Sequence, residues 1–161
     1  MQMSQKKVTI KRLKKRIVKT KSIEAGGGVV YRFLNDNRIE VLLIYRNGVW
    51  DIPKGKREKK ESQEQCARRE VMEEVNADLL PKIVDSLDST FHTYIQKKKI
   101  FNKTTHWYTM IFETEQSFSP QVSEGIEKVE WVELGEAKEK VGYENLKQVL
   151  EETESKLNSK A

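Results

Sequence analysis

Cysteine is almost missing from this chain: Cys66 stands alone in 161 residues. No disulfide can form within the chain, so a reducing, cytoplasmic setting is the expectation. Long apolar runs are missing too. Nothing approaches the roughly 18 consecutive apolar residues of a membrane-crossing helix. The N-terminus is basic but lacks the apolar stretch and small-residue cleavage site of a secretory leader. The HExxH and CxxC patterns of zinc sites do not occur. Gly26, Gly27 and Gly28 are not followed by a helix, which excludes a GxGxxG dinucleotide fingerprint. What is present is 37% hydrophobic and 34% charged residues, enough apolar material for one core in a domain of common size.

Charge is unevenly spread. Residues 1–22 hold nine Lys or Arg and no acid, leaving 21 basic against 25 acidic residues in the remainder, a net of −4. The overall +5 therefore belongs to an arm over 1–22, and residues 23–161 form the single domain. Such an arm attracts nucleic acid, acidic lipid or polyphosphate. Alternation in KVTIKRLKKRIVK also allows it to add an edge strand.

From Ile23 onward the chain alternates between β-rich and helical patterns. IEAGGGVVYRF and IEVLLIYR flank the turn-like LNDNR, predicting a hairpin. Glycines inside the first run imply a bulge or a close approach by other atoms. NGVWDIPKG ends this region in a loop. Over residues 62–76, Ala67, Val71 and Val75 recur every four residues and predict one apolar helical stripe. LLPKIVDSLDSTFHTYI and THWYTMIFETE read as strands, with QKKKIFNK as the turn or loop between them. IEKVEWVEL reads as a further strand. AKEKV and the segment from Tyr143 to about Leu157 read as helical, with Leu146, Val149, Leu150 and Leu157 facing inward. The sum is an α/β (α+β) layered domain.

Glu70, Glu73 and Glu74 fall within roughly 100° of arc on that first helix. Like charges this close are tolerated when solvated, protonated or bound to a cation, and Mg²⁺ suits carboxylate oxygens completed by water and phosphate. Alone, EVMEEV fits a solvated face as well as a metal site. Its surroundings add to this. Gly55, Glu61 and Arg69-Glu70-Val71-Met72-Glu73-Glu74 stand at the spacing of the Nudix box, and the chain resembles the Nudix hydrolase family over roughly residues 23–150. One position departs: Asn76 occupies the slot of the box's late glycine, with Ala77 in the aliphatic slot. Asn is the next-best residue for a left-handed turn after a helix. WDIPKGK, AGGGVVY and VEWVEL also look like the family.

The resemblance implies an α/β/α sandwich, a mixed sheet flanked by helices with the catalytic loop and helix at 55–76. It implies hydrolysis of a pyrophosphate bond in a nucleoside diphosphate-linked or polyphosphate substrate, with Mg²⁺ or Mn²⁺. Carried over by position, Glu70 and Glu74 are metal ligands, Glu73 a further ligand or the general base, and the Gly55 carbonyl another contact. Glu61 becomes a supporting group and Arg69 an orienting partner. Glu124, in SEGIEKVEW, is a candidate additional acid, with Glu127 beside it. Pro53-Lys54-Gly55 resembles the branch acting on diadenosine and diphosphoinositol polyphosphates. That makes Lys54 a substrate contact and offers Lys97 and Lys98, with Lys99 and Lys103, as a clamp on a phosphate chain. Tyr94, Trp107 and Tyr108 are candidates to stack on a base, unless they belong to the core. His92 and His106 read as strand residues. Two other readings stand beside hydrolysis of a small molecule. One is a Nudix-like module that binds nucleotide without cleaving it. The other is an RNA 5′-end pyrophosphohydrolase that grips the backbone through residues 1–22.

Overall fold

A computed structural model describes residues 19–160; most of the basic segment 1–22 lies outside the described residues, and Lys19–Ser22 belong to the first strand. Strands β1 (Lys19–Phe33) and β2 (Ile39–Arg46) form the antiparallel hairpin expected around LNDNR. β3 (Val49–Asp51) pairs with β2, and β4 (Lys54–Lys56) pairs with β1. Helix α1 (Gln63–Glu74) follows. Then come β5 (Lys82–Ser86), β6 (Thr90–Gln96), β7 (Lys99–Ile111) and β8 (Ile126–Glu133). Helices α2 (Leu134–Lys140) and α3 (Glu144–Ser159) close the described chain.

The sheet is mixed: β1 runs parallel to β7, and β2, β4, β5, β6 and β8 join antiparallel. Strand alternation divides the core in two. Val29, Tyr31, Val41, Leu43 and Trp107 point toward α2 and α3, meeting Leu134, Ala137, Leu146, Val149, Leu150 and Leu157. Val30, Leu42, Ile44, Tyr108 and Met110 point the other way and meet Ala67 and Val71 of α1 and Val75 at its C-cap. The four-residue stripe read from the sequence is therefore the inward face of α1, with all three residues fully buried. The result is an α/β/α sandwich, in which α1 is the one α-helix on its face among the described residues.

Two stretches differ from the sequence reading. NGVWDIPKG, expected as a loop, carries the short strands β3 and β4, because β2 and β1 offer them pairing edges. QKKKIFNK is mostly strand: β7 begins at Lys99, and only Lys97 and Lys98 turn, at φ of 50° and 62°. Two successive positive φ values make the tight connection whose twist suits a β-hairpin. Lysine disfavours that conformation, so the segment lacks the glycine or asparagine that announces such a turn. Pairing supplies what propensity did not, since β7 here hydrogen-bonds to β6 on one side and to β1 on the other.

Candidate active site

Helix α1 starts where its sequence caps it. The Ser62 hydroxyl accepts from the Gln65 N–H at 3.0 Å, and the Gln65 side chain accepts from the Ser62 N–H at 2.8 Å, the reciprocal pattern that satisfies two orphan donors. After the helix, Asn76 takes the left-handed conformation, φ 50°, and its amide donates to the Ser119 and Pro120 carbonyls at 3.1 and 3.0 Å. Asparagine thus fills the turn and also ties the segment leading to Glu124.

Close packing brings α1 onto the strands. A Cβ on Gly26 would lie 2.8 Å from the Ala67 backbone nitrogen, and one on Gly55 would lie 2.0 Å from Glu70 Oε2. Gly26 and Gly55 are paired across β1 and β4. The absence of side chains at both lets the glutamate edge of the helix press against the Gly55 backbone.

The carboxylates differ in setting. Glu74 is buried, accepting from the Lys54 backbone N–H at 2.9 Å and from Arg46 at 3.2 Å. Burial pushes its carboxyl up to about 7, against the pull of Lys54 and Arg46. Burial also raises Glu70, while Arg69 at 2.8 Å opposes the rise. Glu73 is the open one, with its side chain 40% exposed and 3.2 Å from Arg69. Arg69 also binds Glu61 through two nitrogens, one at 2.9 Å, and donates to the Lys56 carbonyl at 3.1 Å. Its hydrogen bonds hold Glu61 down at about 2. One guanidinium therefore orients three glutamates.

Behind the glutamates, Asp51 is buried and binds the Lys54 ammonium at 2.6 and 2.7 Å, with Arg46 at 3.5 Å. Lys54 is thus anchored through its side chain while its N–H positions Glu74. Cys66 is buried, its thiol donates to the Gly55 carbonyl at 3.5 Å, and burial pushes its pKa up to about 12; it is inert filler.

A cavity of about 390 Å³ is lined by the acids Glu70, Glu73, Glu74 and Glu124, by the cations Arg46, Lys54, Lys56 and Lys103, and by Gly55 and Gln121. An adjoining cavity of about 520 Å³ shares Arg46, Lys54, Lys103 and Glu124 and extends past His92, Thr105, Trp107 and Tyr143. Burial lowers the Lys103 ammonium, and neighbouring Lys54 and Lys56 lower it further. Among the described residues no three acidic, histidine or cysteine side chains are drawn around a single point; the carboxylates are paired with Arg46, the Lys54 N–H and Arg69. The donor set nevertheless fits a hard divalent cation. Four carboxylates and the residue bearing a main-chain carbonyl line one cavity, all oxygen donors.

Glu61, Arg69, Glu70, Glu73, Glu74, Gly55, Lys54 and Glu124 gather at this cleft. Lys97 and Lys98 sit at the tip of the β6–β7 hairpin, and neither lines the two cavities. Tyr108 is buried against α1, whereas its neighbour Trp107 reaches the second cavity. Glu127 is exposed on β8. His106 bonds to Glu24 at 2.6 Å and Ser89 at 3.1 Å. Sequence reasoning missed Arg46, Asp51 and Gln121, which lie outside the box and carry no spacing signal.

This geometry defines a class. The NUDIX domain profile matches residues 26–153, and the chain belongs to that family, whose enzymes work with divalent cations. Its sequence is 30% identical over 132 residues to the m7GpppN-mRNA hydrolase of Saccharomyces cerevisiae, covering 81% of this chain and 13% of that protein. The chain thus spans about an eighth of that relative's length. An Ap4A hydrolase structure from C. elegans has 25% identity and a TM-score of 0.62, over 84% of this chain and 98% of the other. A NUDIX hydrolase structure from Listeria monocytogenes superposes with a TM-score of 0.71 at 20% identity, covering 84% and 94%; it shares the fold.

Proposed function

We propose that this chain hydrolyses the P–O–P anhydride of a nucleoside diphosphate-linked or polyphosphate substrate, with Mg²⁺ as the resident ion and Mn²⁺ as its substitute. The observation that carries this reading is one cleft lined by both charges: Glu70, Glu73, Glu74 and Glu124 with the Gly55 backbone, and Arg46, Lys54, Lys56 and Lys103. Glu70, Glu74 and the Gly55 carbonyl would hold the ion, with Glu73 near it. When bound, the ion supplies charge neutralisation at the phosphates and acidifies water.

The residues divide the remaining work. Arg46 and Lys103 draw the phosphate chain into the cleft and offset the charge that repels a nucleophile. Glu73, the exposed carboxylate, takes a proton from water as the water oxygen bonds to phosphorus and the bridging P–O bond breaks. The leaving phosphate keeps the bridging oxygen. Arg69 keeps Glu70 and Glu73 aimed at the cleft, while Glu61 holds Arg69. The second cavity, with Trp107 and Tyr143, houses the group attached to the phosphates.

A second reading has its own support. Likeness to an m7GpppN-mRNA hydrolase favours capped or triphosphorylated RNA ends as substrate, with nucleic acid held in part by residues 1–22. Binding without hydrolysis is disfavoured because all four box glutamates are present. A reducing cytoplasmic compartment suits a chain with one thiol.

The test is a hydrolysis panel of diadenosine polyphosphates, diphosphoinositol polyphosphates, ADP-ribose, nucleoside triphosphates and capped RNA. Each is run with Mg²⁺, Mn²⁺ or chelator, on wild type and Glu73→Gln. Cation-dependent turnover lost in the variant is the expected result. Silence across the panel with nucleotide binding intact overturns the proposal.

A further inference from the structure

Beyond the cleft, the β1–β7–β6 sheet continues outward as a ribbon whose register is fixed by the two-residue turn at Lys97 and Lys98. Cross-strand partners share a face. Starting at the cleft, one row is Ile23, Lys103 and His92; the next is Lys21, Phe101 and Tyr94; the outermost is Lys19, Lys99 and Gln96. On that face the rings stack in series. His92 and Tyr94 lie 5.5 Å apart with planes 23° from parallel, and Tyr94 and Phe101 lie 5.1 Å apart at 16°. Lys103 and His92 also line the second cavity, so the ribbon face is continuous with the cleft. The strand run from Lys103 to Lys99 covers about 13 Å.

Exposed His92 and half-exposed Tyr94 and Phe101, beside the ammonium groups of Lys19, Lys21 and Lys99, meet two needs of a single-stranded nucleic acid at once: unpaired bases stack on the rings, and the backbone follows the lysines. Neither a duplex, whose bases are already stacked, nor a small nucleotide, which fills only the cleft, uses such a surface. We propose that this face of β1, β7 and β6 binds single-stranded nucleic acid and feeds its phosphorylated 5′ end into the cleft. The direction of feeding rests on the cleft being a pyrophosphate site; the binding itself does not.

The experiment measures anisotropy of a 3′-fluorescein-labelled, 5′-triphosphorylated RNA of about 12 nucleotides, with chelator present so that no turnover occurs. Tyr94→Ala weakens binding by about tenfold or more and Tyr94→Phe restores it. Lys21→Ala/Lys99→Ala weakens binding and makes the slope of log affinity against log salt shallower by about 1.4. The same RNA annealed to its complement binds more weakly than the single strand, and a DNA arm reports on the sugar. Equal binding by wild type and Tyr94→Ala overturns the platform, as does equal binding of duplex and single strand. Retention on phosphatidylserine vesicles without oligonucleotide binding overturns it in favour of a membrane surface. Loss of small-substrate turnover in wild type, with the RNA dependences intact, removes the hydrolase reading and leaves the platform standing.

Discussion

The carboxylate of Glu70 occupies the place where a side chain on residue 55 would begin, 2.0 Å from the position of a Cβ on Gly55. The contact is with the end of a flexible side chain, so an added methyl displaces Glu70 rather than the backbone. Gly55→Ala is therefore expected to fold with a stability loss of about 1 kcal/mol while turnover falls by about a hundredfold. Thermal melts and a Mg²⁺ titration of activity separate the two effects. A variant as active as wild type would mean that the position of Glu70 does not matter.

Glu73 is the most exposed of the helix glutamates at the cleft, and its contact with Arg69 is one of several that Arg69 makes. Glu73→Gln is expected to lower turnover by about 10²- to 10⁴-fold with an unchanged denaturation midpoint. Preserved turnover with a large loss of stability would make the residue structural.

Asp51 holds the Lys54 ammonium, and the Lys54 backbone holds Glu74. Asp51→Ala leaves the Lys54 ammonium without its buried partner, while Arg46 keeps Glu74. It is expected to cost on the order of 3 kcal/mol and to reduce turnover as well, read by urea unfolding and kinetics on the same preparation. Activity intact after such a loss would uncouple Lys54 from the arrangement of Glu74.

Arg69 holds the Glu61 carboxyl at about 2, below its ordinary 4.5. A depressed carboxylate contributes stability that is complete above its unfolded pKa and is lost as pH falls through the folded one. Wild type is therefore expected to exceed Glu61→Gln in stability by on the order of 1–2 kcal/mol at neutral pH, discounted for solvent screening. The gap should narrow between about pH 4.5 and 2. Unfolding curves of both proteins across that range decide it; a gap independent of pH would assign the difference to packing.

Much of the candidate site was legible because it is local. Gly55, Glu61, Arg69, Glu70, Glu73 and Glu74 lie within one loop and one helix, where 3.6-residue periodicity and a capping box set which side chains share an edge. Asn76 could be read as a turn residue on conformational grounds, and it takes that conformation at φ 50°. The same locality gave the inward stripe of α1 and of the last helix.

Other features depended on partners far away in sequence. Tyr108 and Trp107 are adjacent and chemically alike, yet Tyr108 is buried under α1 while Trp107 is buried on the opposite face, where it lines the second cavity. Strand alternation requires them to part, but only pairing with β1 and the placement of helices decide which goes where. QKKKIFNK carries no hairpin signal of its own, and it became strand because β6 and β1 flank it. Arg46 and Asp51 reach the site from the ends of β2 and β3, meeting Glu74 and Lys54 across a fold that no spacing rule describes. The sequence by itself determined the family, the glutamate edge and the two-layer burial pattern, since these follow from short-range geometry. Tertiary structure alone decided which cations face the glutamates and which lysines stand clear of them, because those distances are set by non-local strand pairing.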